Sequence, residues 1–166
     1  IPVMVDPVMY AKGGDSLLNP EAQETLIRRL LPRAALITPN VREAEALSGL
    51  TIRKPDDLAA AARQLLELGP AAVLVKGGHL AGETVTDWLV WRGGAEAFTA
   101  PRAASRNIHG AGCTLASAIA AGLAQGMPLV DAVRRALAYV HEAIRTAPGL
   151  GQGCGPLNHG HTVRLG

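Results

Sequence analysis

Apolar positions fall in short blocks along the chain. Val3-Met4-Val5, the run 34–38 and the run 72–75 are apolar on both faces. That is the pattern of strands covered on both sides. Each block ends in polar or turn-forming residues: Asp6-Pro7, Pro39-Asn40 and Lys76-Gly77-Gly78-His79. Helical spacing lies between them. Asn19 is placed as an N-cap with Pro20 at the first helical position, where a missing N–H costs nothing. The helix is expected over 21–31, with Leu26, Ile27 and Leu30 inward, and stops before Pro32. A short helix over 42–47 runs out at Gly49. Asp56 or Asp57 opens the next, through Leu58, Ala62, Leu65 and Leu66 to Gly69-Pro70.

The later part reads differently. Residues 85–91 and 95–99 flank Arg92-Gly93-Gly94, a β-hairpin pattern. From Gly112 a helix carries Leu115, Ile119 and Leu123, and Gly126-Met127-Pro128 separates it from a second helix over 129–146. Ala132, Val133, Ala136, Val140 and Ile144 share one face of that helix. The stretch 10–19 reads as a loop, and 149–166 as a Gly-rich irregular tail. Strands alternating with helices predict an α/β fold with a parallel sheet covered by helices, in a single domain over 1–166. A first strand apolar on both faces needs neighbours on both sides, so a segment upstream of Ile1 is expected.

Composition narrows the function. With 48% hydrophobic and 18% charged among 166 residues, the chain can bury a core. A net charge of +2 is too balanced for nucleic-acid binding, and 3% aromatics offers no base-stacking platform. No stretch reaches the ~18 apolar residues of a membrane span. Two cysteines, Cys113 and Cys154, fit a reducing cytoplasm better than a disulfide scaffold.

Candidate chemistry recurs just after strands, where α/β sheets bind ligands. The sharpest segment is Asn107-Ile108-His109-Gly110-Ala111-Gly112-Cys113-Thr114, leading into a helix. Glycines let backbone approach a ligand, and the unpaired N–H groups of a helix start attract anions. Cys113 stands where the helix dipole favours a thiolate. One reading is an anion hole with a reactive side chain; the other is a glycine turn with a buried small cysteine. Asn40 and Glu43, three apart at a helix start, suit a hydrated Mg²⁺ near phosphates, or a plain capping box. Asp6 could cap a loop or supply a carboxylate to a metal-bound phosphate. Lys76, before two glycines, suits a phosphate contact, or is merely solvated. His79 and His109 read as loop histidines.

Other signatures are missing. There is no G-x-x-x-x-G-K-[ST], no G-x-S-x-G and no H-E-x-x-H. Cys154, His159 and His161 match no standard zinc spacing. The Gly149-x-Gly151-x-Gly153 run neither follows a strand nor opens a helix, so it is no dinucleotide fingerprint.

Taken together, VDPVM at 5–9, GGDSLL at 13–18, ITPN-x-x-E at 37–43, VLVKGGH at 73–79, NIHGAGCT at 107–114 and GPLNH at 155–159 resemble the hydroxymethylpyrimidine/phosphomethylpyrimidine kinases of thiamin biosynthesis. These belong to the ribokinase-like superfamily. The resemblance implies a three-layer α/β/α sandwich with a mostly parallel sheet, and ATP- and Mg²⁺-dependent phosphorylation of hydroxymethylpyrimidine and its monophosphate. It implies that Gly110, Ala111, Gly112 and Cys113 form the anion hole, with Cys113 in the catalytic position. It implies that Asn40 and Glu43 serve the Mg²⁺–phosphate network, with Asp6 nearby and Lys76 on the ATP phosphates. It allows a homodimer. Ile108 and Ala111 replace two threonines common in the family, and Cys154 stands where a histidine is frequent. Family chains extend further upstream, so this chain resembles the C-terminal, nucleotide-side portion. Two alternatives are carried. A pyridoxal-type kinase usually has Asp where Cys113 stands. A truncated remnant would bind nucleotide without catalysis.

Overall fold

The computed structural model describes residues 1–11 and 13–163. Lys12 of the expected loop, and positions 164–166 of the expected tail, lie outside them. Contacts divide the chain into two compact units, Ile1–Pro101 and Arg102–Gly166.

The first unit holds the sheet. Its strands are β1 (Val3–Val5), β2 (Ala34–Ile37), β3 (Ala72–Val75), β4 (Thr84–Trp91) and β5 (Gly94–Pro101), hydrogen-bonded in that order. β1, β2 and β3 are mutually parallel; β4 and β5 are antiparallel additions. The sheet is therefore mixed, because a two-residue turn at Arg92-Gly93 cannot return a strand in parallel. β3 is buried at all four positions, as a covered central strand should be. β1 pairs with β2 alone among the described strands, and its Val3 is 42% exposed.

Helix α1 (Pro20–Thr25) starts as expected, with the Asn19 side chain accepting from Ala22 N–H. It does not run on as regular helix. Residues Leu26–Leu30 widen into a π-helical turn and Leu31–Arg33 tighten into a 3₁₀ turn, in which Pro32 is accommodated. Proline tolerates the start of a turn, where its N–H would be unpaired anyway. Helix α2 (Val41–Ser48) ends at Gly49 with φ 73°, a left-handed conformation that glycine adopts freely. Helix α3 (Pro55–Leu66) packs on β3 and β4 through Leu58, Ala61, Ala62 and Leu65, all fully buried. It begins at Pro55 rather than at an Asp. Asp57 instead accepts from the N–H groups of Arg53 and Lys54, which closes the first turn from within.

The second unit pairs helix α4 (Ala111–Ala124) with α5 (Leu129–Arg145). α5 buries Ala132, Val133, Ala136, Val140 and Ala143. Ile144, expected inward, is only half-buried, because the face turns onto Ala143. No helix among the described residues is long and apolar enough to cross a membrane.

Candidate functional site

Three parallel neighbours deliver polar groups to the same rim of the sheet. Asp6 follows β1, Thr38-Pro39-Asn40 follows β2, and Lys76 follows β3. The Lys76 ammonium donates to Asp6 Oδ1 at 2.8 Å, with each side chain 14% exposed. Thr38, fully buried, donates its hydroxyl to the same oxygen at 3.0 Å. The Lys76 N–H donates to the Pro39 carbonyl at 2.9 Å, and Asn40 bridges Lys76 as one more parallel rung.

Asn40 and Glu43 form a capping box. The Asn40 side chain accepts from Glu43 N–H at 3.0 Å, and Glu43 Oε2 accepts from Asn40 N–H at 2.8 Å. The other oxygen, Oε1, accepts from Met9 N–H at 3.3 Å. Glu43 is 2% exposed. Burial pushes its carboxyl above the ordinary value; the Asn40 N–H and the Lys76 ammonium pull the other way, and Asp6 adds to the rise. Glu43, Asp6 and Lys76 thus form one electrostatic group. His79 lies below its ordinary value, through burial and then the Lys76 charge.

Asp87 was not visible as a candidate in the sequence. It sits inside β4, is 8% exposed, and its Oδ1 accepts from Gly77 N–H at 2.7 Å. The available signal was a lone charged residue in an otherwise uncharged strand ending WLVW. Burial pushes its carboxyl up to about 6; the Gly77 N–H and the Lys76 ammonium hold it lower than burial alone would. An acid whose pKa is raised by folding binds its proton more tightly when folded. Its contribution to stability is full below the unfolded value of 3.8 and is lost as pH rises through about 6. Replacing Asp87 with Asn removes that loss. Urea unfolding from pH 3 to 8 should show the Asn variant gaining on wild type by about 3 kcal/mol across the window. A pH-independent difference would mean that the carboxyl titrates normally.

The other candidates lie in the second unit. Gly110 caps α4 with φ 83°. Its carbonyl accepts from Thr114 N–H at 2.8 Å, so α4 begins at Ala111 rather than Gly112. Ala111 N–H is taken by the Ile108 carbonyl at 3.2 Å. The N–H groups of Gly112 and Cys113 meet no acceptor among the described residues. Cys113 is exposed, which removes the buried-cysteine reading. The tail is stitched to this turn: Gly155 N–H donates to Asn107 Oδ1 at 3.1 Å, and His109 bridges Pro156. A groove of about 720 Å³ runs beside Cys113, lined by Ser117, Arg135, Tyr139, His159 and Thr162. A smaller cavity of about 340 Å³ at Gly69 and Arg92 lies by the N-terminal end of β3, the end where α/β sheets do not place ligands.

Known proteins are similar over nearly all of this chain. The family described as phosphomethylpyrimidine kinase matches residues 1–158. The hydroxymethylpyrimidine/phosphomethylpyrimidine kinase of Rhizobium meliloti is 48% identical over 161 residues, 95% of this chain and 60% of that protein. The Clostridium difficile phosphomethylpyrimidine kinase structure superposes with TM-score 0.73 at 43% identity, over 86% of this chain and 57% of that one. The Staphylococcus aureus pyridoxal kinase in complex with ADP gives TM-score 0.89 at 36% identity, over 98% of this chain and 59% of that one. The chain thus spans about three fifths of the length of each of these relatives. With a match running from its first strand to the Asn158 of its tail, the chain belongs to the phosphomethylpyrimidine kinase family.

Proposed function

We propose that the protein takes part in ATP- and Mg²⁺-dependent phosphorylation of hydroxymethylpyrimidine and its monophosphate. The observation that carries this is the convergence of Asp6, Asn40 and Lys76 at the ends of three adjacent parallel strands, with Glu43 buried beneath them. Phosphoryl transfer asks a protein mainly for positioning and charge neutralisation. Lys76 supplies a fixed cation for the nucleotide phosphates. Gly110 to Cys113 supply the anion hole, through the two N–H groups of Gly112 and Cys113 that stay unspent. Ala111 contributes backbone geometry there and no donor, since its N–H is bound to Ile108. The solved pyridoxal kinase with ADP supports a nucleotide as the phosphoryl donor.

The donor set fits Mg²⁺ held through its own waters. Both oxygens of Glu43 already accept backbone N–H groups, and Asp6 Oδ1 is shared by Lys76 and Thr38. Magnesium retains several waters and needs only one or two carboxylates beside the phosphates. Asn40, Glu43 and Asp6 would orient that water shell, and the ion would neutralise phosphate charge.

This geometry sets the outcome of Glu43→Gln. The amide would present a donor where a backbone N–H now points, so one buried bond is lost. A cost of about 1–3 kcal/mol in unfolding free energy is expected, together with a higher Mg²⁺ concentration for half-maximal ATP use. Urea unfolding read beside a Mg²⁺ titration separates the two. Lost stability with an unchanged Mg²⁺ requirement would make Glu43 a capping residue alone.

A second reading is a pyridoxal-type kinase, favoured by the close superposition on pyridoxal kinase. Cys113 at the position where such kinases usually carry Asp speaks against it. Turnover with Mg·ATP on hydroxymethylpyrimidine, its monophosphate and pyridoxal decides. The proposal expects the pyrimidines to have the higher kcat/KM. Transfer to pyridoxal alone would replace it, and Mg·ATP binding without transfer to any acceptor would leave a nucleotide-binding module.

A further inference from the structure

β3 and β4 pair antiparallel from Ala72 opposite Trp91 to Val75 opposite Trp88. Continued two rungs, the register would set Lys76 opposite Asp87 and then Gly77 opposite Thr86, but the ladder stops at Val75. The Gly77 N–H goes instead to the Asp87 carboxylate at 2.7 Å. A side chain has taken the place of the next ladder carbonyl. Gly77 is pressed so close to β4 that a Cβ there would collide with the Thr86 carbonyl oxygen and lie 2.9 Å from Leu58 Cδ1.

The consequence falls on Lys76. The Gly77 N–H and the Lys76 carbonyl belong to one rigid peptide unit. Asp87 therefore holds the peptide plane on one side of the Lys76 Cα. The plane on the other side is held by the Lys76 N–H bond to the Pro39 carbonyl, 2.9 Å. With both planes fixed, the Cα–Cβ direction of Lys76 is set, and its ammonium meets Asp6 Oδ1 at 2.8 Å. Around Asp87, the cross-strand partner on β5 is Phe98, α3 sends Leu58 against Gly77, and Lys76 is the charge that acts on it.

We propose that Asp87 is a positioning residue for Lys76: by holding the Gly77 N–H where the β3–β4 ladder ends, it orients the Lys76 ammonium on the strand-end rim. Its consequence for nucleotide binding rests on the reading of Lys76 as a phosphate contact.

The test uses the chain itself. Amide spectra report Gly77, and lysine-ammonium spectra, assigned with Lys76→Arg, report Lys76. In Asp87→Ala the Gly77 amide should move upfield and exchange at least about tenfold faster, the loss of one charge-assisted bond. The Lys76 ammonium signal should broaden into exchange with water. Asp87→Asn keeps an Oδ1 acceptor and should restore both signals; it also carries the test if the Ala variant loses its dispersed spectrum. Titration with Mg·ATP should show a Kd raised about tenfold or more in Ala and within about threefold of wild type in Asn. An unchanged Lys76 signal in a folded Ala variant overturns the proposal, as does failure of Asn to restore it. If the spectra behave as expected while wild type takes up no Mg·ATP, the positioning role stands and the phosphate-contact reading falls.

Discussion

Cys113→Ser should lower phosphotransfer turnover about 10²–10⁴-fold if the thiol takes the proton of the substrate hydroxyl, the usual range for a general base. Cys113 is the third residue of α4, exposed, with an N–H that meets no acceptor among the described residues. Serine keeps that N–H and nearly the same size, so the loss would come from the acidic group alone. Cys113→Asp introduces the carboxylate of the sibling kinases and should retain more activity than serine. The competing outcome is as definite. If the backbone of the turn does all the stabilising, both variants stay within about tenfold of wild type, under about 1.4 kcal/mol of barrier. Turnover against pH, with iodoacetamide labelling of Cys113 followed over the same range, separates the two. A serine variant at wild-type turnover removes the base and leaves the anion hole standing.

Gly77→Ala should cost about 3 kcal/mol or more in stability, at the upper end of what overpacking does in a filled core. The new Cβ would collide with the Thr86 carbonyl oxygen, which is strand backbone and cannot swing aside as a side chain can. Leu58, fully buried on α3, blocks retreat in the other direction. A fall in Tm of about 6–12 °C follows for a chain of this size. Gly78→Ala is the control, since a Cβ there meets nothing within 4 Å. That variant should melt within about 2 °C of wild type, because surface changes stay near 0.5 kcal/mol. Calorimetry of the pair checks both, and equal melting of the two variants would refute the close approach of Gly77 to β4.

Local signals reached most of the elements and half of the site. Asn19 and Pro20 announce α1, and Asn40 with Glu43 announces α2, because a cap and the N–H groups it satisfies lie within three residues. The strands leading to Asp6, Asn40 and Lys76 were legible because burial on both faces leaves unbroken apolar runs. The π-helical turn at Leu26–Leu30 was not, since nothing in a helical spacing says how the chain must bend to bring Leu31 fully into the core. The reading of Asn40 and Glu43 as either a metal pair or a capping box needed the third dimension. Only the fold brings Met9 N–H to the second oxygen of Glu43 across 34 residues. Asp6 and Lys76 could each be suspected alone, yet their ion pair spans 70 residues and exists because β1, β2 and β3 stack in parallel with one common rim. Asp87 is the clearest case. Its partner is a backbone N–H ten residues away, set by where the β3–β4 register ends. Elements and the residue types at their ends are legible along the chain, since they depend on contacts a few residues apart. Which of those ends meet, and which charge each buried carboxylate faces, follows from folding, since strand order and register arise from packing between distant segments.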